Sequence, residues 1–256
     1  MFKEVSKSVT IRLREVRRLL AHIRLLEEAA RDDGDKVSAE NAATLRGLLF
    51  VQLYGTFEYA VEQSVQLLLQ HLSKAGIPYP HFEHLLGAIT LDPEFESAAT
   101  VRHDRKWVNR RALLEKQRSS DICQINDTMF ADMLQSIWFR TINDLFEWLC
   151  ITSPPVPEAR IRGYIDDVTK RRHDIAHGRL SPGEVGRSLT STDVKKRVDA
   201  ISDEINHIFS SFENFVGAKA FIAISHRSSH LPKPPSTRRR EGSGDSRHRK
   251  KKIKRK

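Results

Sequence analysis

The chain has 256 residues, enough to bury a sizeable core, and its 39% hydrophobic and 30% charged content is that of a folded chain and excludes wholesale disorder. No run of eighteen or more apolar residues occurs, which excludes a spanning helix. The net charge of +10 is uneven: residues 231–256 hold twelve Lys/Arg against Glu241 and Asp245, and residues 1–230 are formally neutral.

From about Phe2 to Arg31, apolar residues at Val9, Leu13, Val16, Leu20, Ile23 and Leu26 step by three and four, which predicts an amphipathic helix ending near Asp32-Asp33-Gly34. This N-terminal stretch lacks the apolar core of a signal peptide. With Cys123 and Cys150 as its two cysteines and no CxxC pattern, the chain is expected to be reduced and cytoplasmic, without a disulfide framework. A second helix follows Ser38, with a stripe at Leu45, Leu49, Leu53, Phe57, Val61, Val65, Leu68 and Leu72, and Gly76 with Pro78 stops it. Pro78, Pro80 and Pro93 break residues 77–102 into short pieces, and a charged helix is expected over 103–118. His81 and His84 form an H-x-x-H without an evident third ligand, so they read as surface histidines and no metal is expected there.

From Asp127 to Leu149 the density of large apolar residues predicts a central buried helix. Pro154, Pro155 and Pro157 then introduce a helix with Pro157 in its first turn, running to His177 and Gly178. A loop with Pro182, Gly183 and Gly186 leads to Thr190-x-x-Asp193, a capping-box start. The last helix places Val194, Val198, Ile201, Ile205, Ile208, Phe212 and Phe215 in alternating steps of four and three, a heptad seam. No strand-like alternation or internal repeat competes. The expected fold is all-α: an antiparallel helical bundle over residues 1–225 followed by a disordered Lys/Arg-rich tail over 226–256.

The chemistry concentrates in Lys170-Arg171-Arg172-His173-Asp174-Ile175-Ala176-His177-Gly178. Cations near a helix C-terminus and a glycine stop have a purely structural reading. Helical phase adds another. The apolar stripe runs Ile161, Ile165, Val168, Arg172, Ile175, so Arg172 occupies a core-facing slot and needs a carboxylate, an anion or a partner subunit. His173 and His177 are four apart on one flank. Arg holds a phosphate by paired hydrogen bonds and His exchanges protons near neutral pH, which suits phosphodiester chemistry. Arg172 and His177 lie about 140° apart around a straight helix, so one copy does not easily bring both to one phosphate.

The RHDIAHG sequence resembles the Arg-polar-x-x-x-His motif of the HEPN superfamily, in particular its stand-alone bacterial RiboL-PSP-HEPN type. Leu45–Val65, with Tyr54-x-x-Phe57-Glu58, is similar to the long first-half helix of such proteins. The resemblance covers about residues 40–218. It implies a homodimer with one composite site, cleavage of single-stranded RNA without metal or cofactor to a 2′,3′-cyclic phosphate, and a toxin or phage-defence setting with a cognate antitoxin or regulatory protein. Carried onto this chain, Arg172 would bind the scissile phosphate, His177 would act as general base or acid, and His173 fills the polar second position. Asp174 and Glu58 take supporting places, Glu58 by orienting Arg172 or simply as a solvent-facing residue. Arg171 and Arg179 flank the motif as phosphate contacts. The chain departs from nucleotidylated members of the superfamily, which carry a Tyr two residues beyond the motif His; that place is Arg179 here.

The tail includes Arg238, Arg239, Arg240, Lys250, Lys251 and Lys252 and contains no aromatic residue for base stacking. Sequence-independent phosphate attraction, a solubilising appendage and a nuclear-import signal all fit it. Three readings stay open for the whole: an RNA-cleaving HEPN enzyme, a non-catalytic HEPN module binding RNA or protein, and an unrelated basic-tailed structural protein.

Overall fold

The computed structural model describes residues 1–32, 34–100 and 105–230. Its helices, in chain order, are α1 (Lys3–Asp32), α2 (Lys36–Lys74), α3 (Gly87–Thr90), α4 (Asp92–Thr100), α5 (Lys106–Gln117), α6 (Phe139–Trp148), α7 (Ile161–Ala176), α8 (Pro182–Arg187), α9 (Ser191–Gly217) and α10 (Ile224–Arg227). Among the described residues there is no strand, only isolated bridges between Pro78 and Ile122 and between Phe82 and Ile222. No described helix is long and apolar enough to cross a membrane.

The long helices form where the periodicity placed them. On α1, Val5, Val9, Leu13, Val16, Leu20 and Ile23 are buried along one stripe. Gly34, at φ +64°, reverses the chain, and the Asp35 side chain accepts the Val37 N–H at 2.9 Å, so α2 starts capped and antiparallel to α1. On α9 every residue of the heptad seam from Val194 to Phe215 is buried, behind a Thr190–Asp193 capping box. The core is one continuous cluster in which α2 is central, packing against α1, α7, α8 and α9.

Three expectations need correction. Residues 127–149 are not one helix: turns and a single 3₁₀ turn at Met133–Gln135 precede α6, which begins only at Phe139. At Ile137 and Phe139 the backbone bonds to other helices instead of to its own preceding turn. The Ile137 N–H donates to the Tyr54 hydroxyl at 2.9 Å, its carbonyl accepts from Thr169 at 2.7 Å, and the Phe139 N–H donates to Asp166 at 2.9 Å. With those groups satisfied, an apolar run is buried without being helical. The second correction concerns α7, which starts at Ile161, so Pro157 lies in the bends before it; the closely spaced prolines keep their predecessors out of the α region.

The third is the expected loop with Pro182, Gly183 and Gly186, which is the helix α8, begun by a Ser181–Glu184 capping box. Gly186 in it and Gly47 of α2 serve close packing. A Cβ on Gly186 would stand 1.8 Å from the Ala43 carbonyl oxygen, and one on Gly47 would stand 2.0 Å from that of Pro182. The basic residues 231–256, expected to form a disordered phosphate-attracting tail through Arg238, Arg239, Arg240, Lys250, Lys251 and Lys252, lie outside the described residues. Residues 226–230, placed with the tail from sequence, form the end of α10 and a following 3₁₀ turn.

Candidate functional site

The motif occupies the last turn of α7 and its exit. The helix ends in a Schellman motif: the Gly178 N–H donates to the Ile175 carbonyl at 3.1 Å and the Arg179 N–H to that of Asp174 at 2.8 Å. Gly178 sits at φ +65°, a conformation that side chains with a Cβ rarely adopt, so the structural reading of this glycine holds whatever else the motif does. Asp174 is buried and ties the turn together, accepting Lys170 at 2.6 Å and lying 3.9 Å from Arg179. The hydrogen bond from Lys170 comes first in holding its carboxyl below the usual range.

Arg172 projects from the core-facing stripe, half-buried, and its guanidinium lies 4.6 Å from the centroid of the Tyr54 ring on α2. This cation–π contact partly compensates the loss of water. No carboxylate stands within ion-pairing distance of it among the described residues. Tyr54 is itself fixed, 1% exposed, with its hydroxyl accepting the Ile137 N–H, and burial pushes its pKa up to about 12. Glu58, one turn along α2 from Tyr54, is half-buried. Burial raises its pKa, against the downward pull of the Tyr54 hydroxyl and the Arg172 cation. It therefore belongs to the surroundings of Arg172, without an ion pair to it.

The two histidines differ. His173 is half-buried, with Nε2 2.9 Å from the Ser136 hydroxyl, and its ring is edge-on to Trp138 at 5.7 Å and to His177 at 5.5 Å. The Trp138 indole N–H also donates to Ser136 Oγ at 3.1 Å, which leaves the hydroxyl proton available to His173. Burial, and after it the Arg172 cation, keep the His173 pKa below its ordinary value, so this imidazole favours the neutral form. His177 caps the helix, is exposed, and its ring has no hydrogen-bond partner among the described residues. Arg179 is exposed beside it.

Arg172, His173, His177, Asp174 and Arg179 are thus brought to one helix end, with Tyr54 and Glu58 beneath. Arg171 is drawn elsewhere: it donates to Asp167 at 2.8 Å and to Ser188 at 3.3 Å, and Asp167 also accepts Arg197 of α9 at 2.8 Å. Sequence reasoning missed Ser136 and Trp138, because it placed them inside a continuous helix. It also read His81 with His84 as surface histidines, whereas the His81 ring stacks on His226 at 4.0 Å and its Nδ1 lies 2.9 Å from Nε2 of His230. Even so, no group of three or more His, Cys, Asp or Glu side chains is arranged to hold a metal ion among the described residues. Cys123 is buried and Cys150 half-buried, both as free thiols.

A helix-end arginine on an aromatic platform, flanked by one restrained and one free imidazole, can hold a phosphodiester and exchange a proton with it. No curated protein and no solved structure matches the chain. A family model, RiboL-PSP-HEPN, matches residues 10–214, most of the described bundle, and the chain belongs to that family.

Proposed function

We propose that the protein is an endoribonuclease that cuts single-stranded RNA without a metal ion, at a site completed by two copies of the chain. The observation that carries this reading is the pairing of a half-buried Arg172, which has no carboxylate partner among the described residues, with an exposed His177 five residues on. His177 removes the proton from the ribose 2′-hydroxyl, and the oxygen attacks the adjacent phosphorus. The 5′-oxygen leaves with a proton from a second imidazole, yielding a 2′,3′-cyclic phosphate and a 5′-hydroxyl. Arg172 neutralises the charge that builds on the non-bridging oxygens. His173, whose pKa burial and the Arg172 cation lower, orients His177 through their edge contact.

Arg172 leans on α2 while His177 faces solvent, so a two-fold contact at the end of α7 would let the Arg172 of one copy meet the His177 of the other. The same separation favours a second reading, a non-catalytic module that binds RNA or protein. A toxin or phage-defence role with a cognate antitoxin follows from the resemblance of the motif.

The test is cleavage of an end-labelled single-stranded RNA in excess EDTA, with product ends identified. His177→Ala and Arg172→Ala should each lower the rate by two or more decades without loss of helical content. Light scattering should give about twice the 29.4 kDa chain mass. RNA binding without cleavage would establish the second reading, and cleavage that requires magnesium would sink the mechanism.

A further inference from the structure

The helices α4 and α5 contain no buried residue. One face of α5, with Lys106, Asn109, Leu113 and Lys116 half-buried, is turned inward. Asn109 there donates to the Ser97 carbonyl at 3.1 Å, and the Lys116 ammonium lies 4.9 Å from the Tyr79 ring centroid. The opposite face is open to solvent. It carries Trp107 at 73% exposure, Arg110, Arg111, Leu114 and Arg118 at helical spacing, and Arg110 lies 5.3 Å from the Trp107 ring centroid.

Residues 105–118 hold Arg105, Lys106, Arg110, Arg111, Lys116 and Arg118 against the single acid Glu115. Glu115 pairs with Arg111 and Asp121 with Lys116, whereas Arg105, Arg110 and Arg118 are exposed and have no carboxylate partner among the described residues. An exposed indole amid guanidinium groups is the chemistry that binds unpaired nucleotides: the ring stacks on a base of any identity and the cations meet phosphates. A second copy of this chain fits poorly, since a two-fold contact would set the same cations against one another.

We propose that this face of α5 is a second RNA-contact surface, on which Trp107 stacks against an unpaired base and Arg110 and Arg118 neutralise phosphates. It rests on the reading of the protein as an RNA-binding chain. The surface is an anchor and does not touch the reacting atoms. Tyr54 lies twenty residues before the end of α2 at Lys74, roughly 30 Å along the axis, and α5 touches the chain just beyond that end, at Tyr79.

The experiment measures binding of the full chain to a fluorescein-labelled 2′-O-methyl uridine oligomer across a range of salt concentrations. Trp107→Ala should weaken binding about 5- to 100-fold at every salt concentration, and Trp107→Phe should retain most of the affinity. Replacing Arg110 and Arg118 with Ala should instead flatten the slope of log affinity against log salt, by about 0.7 for each phosphate no longer neutralised. On a cleavable RNA both changes should raise KM and leave kcat unchanged. Wild-type affinity and slope in these variants would overturn the anchor while leaving the RNA reading intact, and absence of any RNA binding by the wild-type chain would overturn both. A Trp107→Ala chain of altered mass in light scattering would assign the face to self-association and also overturn the proposal. Neither helix buries a residue, so the variants should keep the wild-type circular dichroism.

Discussion

Glu204 gives the most quantitative prediction. It lies in α9 beside the seam that packs the bundle, is 0% exposed, and neither carboxylate oxygen has a hydrogen-bond partner among the described residues. Burial alone pushes its pKa up to about 8, from an ordinary value of 4.5. Because the folded chain holds this proton more tightly than the unfolded one, the group leaves stability intact below pH 4.5. It costs progressively more as pH rises, and the cost levels off above pH 8. One pKa unit corresponds to about 1.4 kcal/mol, so the cost is about 1 kcal/mol at pH 5, about 3 at pH 7 and about 4 at pH 8.

Glu204→Gln removes the ionisation and keeps the shape. Its stability advantage over the wild type should therefore grow with pH, by about 1.4 kcal/mol per unit between about pH 5.5 and 7. Urea unfolding of both proteins from pH 5 to 8.5, at one fixed protein concentration so that association contributes equally, reads the difference directly. A difference that stays flat across this range would refute the reasoning, since it would mean that the carboxylate is solvated or paired in the folded chain.

Three further outcomes follow from particular contacts. Tyr54→Phe keeps the ring beneath Arg172 but strands the Ile137 N–H, so stability should fall by about 1–3 kcal/mol in denaturant titration while cleavage survives. Gly186→Ala drives a methyl group into the Ala43 carbonyl and should destabilise the chain by about 1–3 kcal/mol or more, seen as a lower urea midpoint. Deleting residues 231–256 removes the whole formal excess of positive charge. The bundle should remain folded, and the salt slope of RNA affinity should fall by about 0.7 for each phosphate the tail neutralises, without loss of turnover at saturating RNA; identical slopes would make the tail a solubilising appendage.

The long helices were legible because each buries a stripe that repeats within a few residues. The phase of Ile161, Ile165 and Val168 also placed Arg172 toward the core before any contact was known. What it could not show was the partner. Sequence reasoning offered a carboxylate, an anion or a subunit, and the structure supplies a tyrosine ring from a helix more than a hundred residues earlier. The partners of Arg171 were hidden for a related reason: its engagement by Ser188 depends on where α8 passes, and Pro182, Gly183 and Gly186 read as loop residues. In α8 Gly186 answers to the proximity of another backbone, a demand that local turn chemistry does not encode.

The break before α6 shows the same logic acting on the site. If residues 127–149 were a continuous helix, the Ile137 N–H and carbonyl would bond within it. Tyr54, which is buried, would then lose the backbone partner of its hydroxyl, and Thr169 would keep only the Ile165 carbonyl of its own helix. Ser136 and Trp138 would point about 160° apart around the helix, by its 3.6-residue period, and could not both meet at one hydroxyl beside His173. The tyrosine that interrupts the helix is also the one that lies beneath Arg172, and the segment it frees carries the serine that restrains His173. Misreading this segment therefore hid Ser136 and Trp138, because the irregular backbone and the surroundings of the motif are built by the same hydrogen bonds.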